Sequence, residues 1–270
     1  MPHRVRTQDD RRQVVEDGLQ DRLTDVKRHT PTRLAAPGEQ AIHPAVSRAL
    51  EALERSNVHW CLLRGESDLG SAEGDVDLLV ARGDMPRLRD ALGQLGYVPL
   101  RAWGRGPHRF FVADDEASAR RVKLDVVTQL AYGCYQELRT AAAAGCLARR
   151  RYVGGLALLS PADGFWALLL HCMLDREAFS AAHRERLLEL AGEADSKTEL
   201  GNIADATFAE GGGAATVLEL VRREDWTALT TIAKEGRATR ASGRRLEMRL
   251  RVLMNRALRR ASNVLPLGRR

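Results

Sequence analysis

No CxxC pair and no histidine–cysteine cluster at zinc-ligand spacing occurs in the 270 residues; Cys61, Cys134, Cys146 and Cys172 stand singly. Neither a disulfide framework nor a structural zinc site is indicated, and a reducing compartment fits. Apolar runs are short. The longest, FWALLLHCML from Phe165, is about half the ~20 residues a bilayer-spanning helix needs, so it reads as a core helix. The opening MPHRVRTQDDRRQVVEDG lacks the apolar segment of a secretory signal, which makes a cytoplasmic protein the expectation. Internal repeats and low-complexity tracts are also missing, and EGGGAAT, Glu210–Thr216, is the only glycine cluster, read as an interhelical loop.

What is present is a chain 44% hydrophobic, long enough to bury a core without metal or disulfide support. Its net charge of +6 is unevenly spread. Residues 237–270 hold eleven arginines and one acid, Glu247, so the rest of the chain carries 31 basic against 35 acidic side chains, a net −4. A globally basic body would argue for nucleic acid; a basic tail on an acidic body makes nucleic acid an unfavoured partner. In that tail Leu246, Leu250, Leu253 and Ala257 form one stripe among arginines, the pattern of a basic amphipathic helix. Anionic lipid or an acidic protein is its expected partner, with peripheral membrane association as the corresponding location; a merely solvated face is the alternative.

Residues 1–40, rich in Arg, Asp, Gln and Thr, read as disordered. HPAVSRALEALERSN then has helical spacing, VHWCLLRG and GDVDLLVA read as strands, and DMPRLRDALGQLG reads as a helix with Asp84 as N-cap, Pro86 in the first turn and Gly96 as stop. YVPLRAW, HRFFVAD and RVKLDVVTQL supply three more strands, and RRRYVGG with LALLS a short pair. From Ser160, a cap before Pro161, the pattern is helical, with further helices from His183, Glu199, Ala214 and Asp225. The fold class is thus α/β (α+β): a mixed sheet flanked by helices over 41–159, a helical domain over 160–235, and the basic helix and tail over 236–270.

Chemistry concentrates in LLRGESDLGSAEGDVDLLV. Strand alternation puts Asp75 and Asp77 on one side, with Cα atoms roughly 7 Å apart, while Val76 points to the core. Two hard carboxylate ligands suit Mg²⁺, which keeps several waters and takes the rest of its shell from substrate phosphates. Gly65 at the strand end lets a phosphate approach the backbone, and Ser67 offers a hydroxyl. Asp125, in VKLDVV, sits in an apolar strand where an ionised carboxylate is costly unless it meets a cation. If that strand lies beside the first, the three acids complete a two-metal site. The bland alternative is a solvated turn pair plus an acid matched by Lys123 or Arg121. Lys123 shares Asp125's face, where it serves either a salt bridge or a phosphate.

LLRGES, GDVDLLV and KLDVV together resemble the DNA polymerase β-type nucleotidyltransferase superfamily, and within it the bacterial uncharacterised nucleotidyltransferase family found beside polysaccharide and natural-product biosynthesis genes. The likeness covers about residues 41–180. It implies the nucleotidyltransferase fold, a nucleoside triphosphate with Mg²⁺, and transfer of a nucleoside monophosphate to a hydroxyl or similar acceptor on a small molecule or glycan precursor. By position it implies Gly65 and Ser67 at the phosphates, Asp75 and Asp77 at both metals, and Asp125 at the catalytic metal, assisting deprotonation. The chain departs from the pattern at Glu66, where the family has Gly-Ser or Gly-Gly. A degenerate binding module and an antibiotic-modifying enzyme are the competing readings; a metal-dependent glycosyltransferase would need a nucleotide-binding βαβ region ahead of Asp75, where the chain is mostly polar. Secondary candidates are His108 or Arg109 facing the site, His171 and Asp175 lining an acceptor cleft, and Trp103 and Trp166 stacking a base or packing the core.

Overall fold

In the computed structural model the described residues are 42–65, 69–70, 74–100, 107–115, 120–133, 136–242 and 254, with backbone only for 236–242. The expectations for residues 1–40, Glu66, Ser67, Trp103 and the arginine-rich tail lie outside them.

The architecture is mixed α/β. Helix α1 (Pro44–Arg55) buries Val46, Ala49, Leu50 and Leu53, the apolar stripe of its sequence, and leads into β1 (Trp60–Arg64) and β2 (Asp75–Val80). Helix α2 (Met85–Gln94) packs on α1. Its N-cap departs from expectation: the Asp84 side chain makes no capping bond and instead accepts from the backbone and ring nitrogens of His59, at 2.8 and 2.9 Å, and from Arg87. These partners hold the Asp84 carboxyl below the usual range against a burial effect that would raise it. Gly96 ends the segment at φ +81°, as a glycine after a helix does.

Strands β3 (Val98–Leu100), β4 (Arg109–Asp115) and β5 (Arg120–Val127) follow. A two-stranded ladder, β6 (Ala131–Tyr132) with β7 (Leu138–Arg139), and the short helix α3 (Ala143–Ala148) lead to the hairpin β8 (Arg151–Val153) and β9 (Leu156–Leu158). The sheet has seven strands in the order β3-β4-β5-β2-β1-β9-β8. β2 runs parallel to β5 and β1 parallel to β9; the other neighbours are antiparallel. Between Leu62 and Arg64 the β1–β2 register shifts, so Arg64 stands opposite Asp77. Such an irregularity re-aims one side chain without disturbing the strand beyond it.

The helical part begins with α4 (Pro161–Leu170), whose Ser160 hydroxyl accepts from the Asp163 N–H as the sequence predicts. α4 packs on β1 and continues into a π-helical turn, His171–Arg176. Helices α5 (Ala181–Ala191), α6 (Glu199–Thr207), α7 (Gly213–Arg222) and α8 (Trp226–Ser242) complete it. Sheet and helices share one apolar cluster running from Ala45 to Ala233, so Ser160 marks a change of secondary structure within a continuous core. Among the described residues no helix is long and apolar enough to cross a membrane.

Candidate functional site

The parallel pairing of β2 and β5 sets Asp75 opposite Lys123 and Asp77 opposite Asp125. Partners across a ladder point to the same face, so Asp75, Asp77, Lys123 and Asp125 share one side of the sheet. Val76, Leu78 and Val80 are buried on the other. The adjacency needed for Asp125 to join the pair is therefore present.

Each acid holds a basic side chain. Lys123 Nζ donates to Asp75 Oδ2 at 2.6 Å and lies 4.4 Å from the centre of the Phe110 ring. Arg64 Nε is 2.8 Å from Asp77 Oδ2. His108 Nδ1 stands 2.8 Å from both oxygens of Asp125, with its ring stacked on Phe110. The bland pairing is thus replaced by another: Lys123 belongs to Asp75, and Arg121 to Asp114 on the neighbouring strand at 2.8 Å. His108 reaches the site, whereas Arg109 is exposed and donates to the His108 carbonyl. Among the described residues no three His, Cys, Asp or Glu side chains are gathered as a metal cage.

The electrostatics of Asp77 stand apart. Burial raises its carboxyl above the ordinary 3.8; Arg64 and, more weakly, His171 oppose that rise, and Asp125 and Asp75 add to it. Negative charge is crowded here, and a further cation would relieve it.

Beside these acids a cavity of about 250 Å³ opens between sheet and helices, reached by Arg64, Asp77 and His108 from the sheet and by His171 and Asp175 from the π turn. His171 Nδ1 donates to Asp175 Oδ2 at 2.7 Å, and the other oxygen of Asp175 accepts from the Gly133 N–H at 2.6 Å. Burial lowers the His171 pKa, Asp175 resists, and Arg64 reinforces the lowering. A neutral ring that donates through Nδ1 leaves Nε2 as an acceptor, and Arg176 Nε meets it only at 3.5 Å. π turns recur at functional sites because the widened turn re-aims side chains.

Gly65 has φ +78°, a conformation that costs other residues strain, and a Cβ placed there would meet nothing within 4 Å. A glycine adopts this conformation freely at the end of β1, and among the described residues no atom crowds its backbone. Trp166 is a core residue, fully buried, with Nε1 donating to the Asp195 carbonyl at 2.9 Å. Arg64 and Phe110, which meet the acids and their partners, are not among the sequence candidates. Arg64 is discoverable as the last residue of an apolar strand before a glycine; Phe110 has no local signature.

Comparison with protein-family models, with curated proteins and with solved structures finds no match.

Proposed function

We propose that the chain is a Mg²⁺-dependent nucleotidyltransferase of the DNA polymerase β type, transferring a nucleoside monophosphate from a nucleoside triphosphate to a hydroxyl of a small molecule or glycan precursor. The observation that carries this reading is the placement of Asp75, Asp77 and Asp125 on one face of adjacent parallel strands, with Asp77 and Asp125 in direct register. The seven-stranded mixed sheet, with Gly65 at positive φ directly after its first strand, is consistent with the nucleotidyltransferase fold that the sequence resembles.

The donor set fits the ion. Mg²⁺ takes one or two carboxylates, waters and phosphate oxygens, and Asp75, Asp77 and Asp125 would hold it once Lys123, Arg64 and His108 yield their places. Bound there, Mg²⁺ supplies charge neutralisation for the triphosphate and acidification of the acceptor hydroxyl. Lys123, released from Asp75, has an ammonium free for a phosphate oxygen. Gly65, directly after β1, and Ser67, by its place in the sequence, would meet the same phosphates. In the transfer the acceptor O–H would pass its proton to the Asp125 carboxylate. The oxygen then bonds the α-phosphorus, and the bond from that phosphorus to the β-phosphate oxygen breaks, with pyrophosphate leaving.

A second reading, a catalytically degenerate module, is favoured by one fact: all three acids already hold basic partners. Titration calorimetry with Mg²⁺ and each nucleoside triphosphate separates the two. Metal-dependent binding in the parent and none in Asp75→Ala/Asp77→Ala is expected; a parent that binds no triphosphate overturns the enzyme reading. Anionic lipid or an acidic protein remains the proposed partner of the arginine-rich tail.

A further inference from the structure

Arg64 reaches the acids through an irregularity in the sheet. With Leu62 opposite Leu78, an unbroken antiparallel register would set Arg64 opposite Val76, on the buried face. The shift between Leu62 and Arg64 instead sets it opposite Asp77. Shifts of this kind re-aim a side chain and gather beside active sites. Among the described residues lining the cavity, Arg64 is the only lysine or arginine. Its charge opposes the rise of the Asp77 pKa and lowers that of His171 across the cavity, so it acts on both walls.

Asp77 uses only part of what Arg64 can bind. Nε lies 2.8 Å from Asp77 Oδ2, and among the described residues the two terminal nitrogens of the guanidinium form no hydrogen bond. The side chain is 28% exposed and faces the cavity. A planar fork of N–H donors suits two oxygens of a phosphate. The pair beside it differs: Lys123 and Asp75 are 33% and 42% exposed, so water receives both when they part. Asp77 is only 16% exposed, and an ion bound there would leave Arg64 facing like charge. Asp175, the other carboxylate on the cavity, is already bonded through both oxygens, to the His171 ring and the Gly133 N–H. The anion left for Arg64 is one that enters with the ion.

We infer that Arg64 is a two-position residue: it holds Asp77 in the present structure, and on nucleotide binding it releases that carboxylate and grips a phosphate oxygen of the triphosphate. It is then a phosphate-binding residue that couples the ion to its nucleotide. A metal ion alone has to compete with Arg64 for Asp77, whereas metal arriving with triphosphate gives Arg64 a new partner. The assignment rests on the transferase reading.

Two titrations on the full chain read the exchange. Mn²⁺ alone, an ion that takes the same oxygen ligands, is followed by loss of the free-ion EPR signal; each nucleoside triphosphate in excess Mg²⁺ is followed by calorimetry. Arg64→Met keeps length and apolar bulk without the charge. It is expected to bind Mn²⁺ about fivefold more tightly than the parent, and Mg²⁺-triphosphate about tenfold more weakly. Misfolding cannot produce the gain. Arg64→Lys, which keeps the charge and loses the fork, should bind Mn²⁺ as the parent does and recover only part of the triphosphate affinity. Arg121→Ala removes a charge from the same face, where Arg121 pairs with Asp114, and should move neither affinity. If Arg64→Met shifts both affinities the same way or neither, or if Arg121→Ala reproduces the opposed shifts, the inference is overturned while a parent that binds triphosphate keeps the transferase reading. A parent that binds no triphosphate removes the reading and the inference together.

Discussion

Asp163 at the head of α4 and the acids of β2 and β5 are both met by basic side chains, yet they are built in opposite ways. Asp163 is fully buried and its bonding capacity is used up: Arg149 grips both oxygens at 2.9 Å, the Ser160 hydroxyl adds a third bond at 2.7 Å, and the Cys146 thiol is a fourth hydrogen-bond partner. Among the described residues Asp75, Asp77 and Asp125 each pair with a single basic side chain. They share one face, and one of them reaches a cavity. A saturated carboxylate stabilises a fold; neighbouring carboxylates with lone pairs in reserve do so poorly and are available to a ligand.

The sharpest way to break this contrast is to remove Asp163. Asp163→Ala removes the buried acceptor of Arg149 and of the Ser160 hydroxyl and is expected to cost about 2 kcal/mol in denaturant unfolding, less than a fully buried broken pair because the exposed Arg149 regains water. A loss as small as that of an exposed pair would place Asp163 with the strand acids instead.

The middle effect is a matter of pH. Since burial raises the Asp77 carboxyl above 3.8, the folded state favours its protonated form. That contribution is complete below the unfolded value of about 4 and is lost as pH rises through the raised folded value. Asp77→Asn has no such proton to lose. It should melt above the parent near neutral pH, and this advantage should shrink as both are acidified toward that lower limit. A variant that melts lower at neutral pH would mean that the Arg64 pairing outweighs burial.

The smallest effect belongs to the exposed pair across β4 and β5. The bond between them lowers Asp114 and raises Arg121, but both stand in solvent, so Arg121→Ala should leave the melting temperature unchanged within error. A measurable fall would show that charge on these strands matters wherever it sits.

Much of this was legible beforehand, because local rules decide local structure. The stripe Val46, Leu50, Leu53 made α1, the alternation about Val76 oriented the aspartates, and Ser160 before Pro161 opened α4. Asp84 defeated the capping rule because a tertiary partner, His59, competes for the same oxygens. The neighbours of Asp125 were beyond reading. A parallel pair is joined by a crossover whose length says nothing of register, so whether Lys123, Arg121 or His108 would meet Asp125 depended on sheet order. Likewise FWALLLHCML looked like one uniform helix, and nothing in its pattern marked the switch to a π turn at His171.

The in-register pairing of Asp77 with Asp125 also bears on how the sheet assembles. A slip of one residue between β2 and β5 would carry Asp125 to the apolar face of Val76 and Leu78, at the desolvation cost of an unpaired carboxylate in hydrocarbon surroundings. The wrong alignment is penalised by the same side chains that give the right one its chemistry. The acids thereby act as proofreaders of strand pairing, and replacing them with apolar residues would make a sheet more tolerant of its own misalignment.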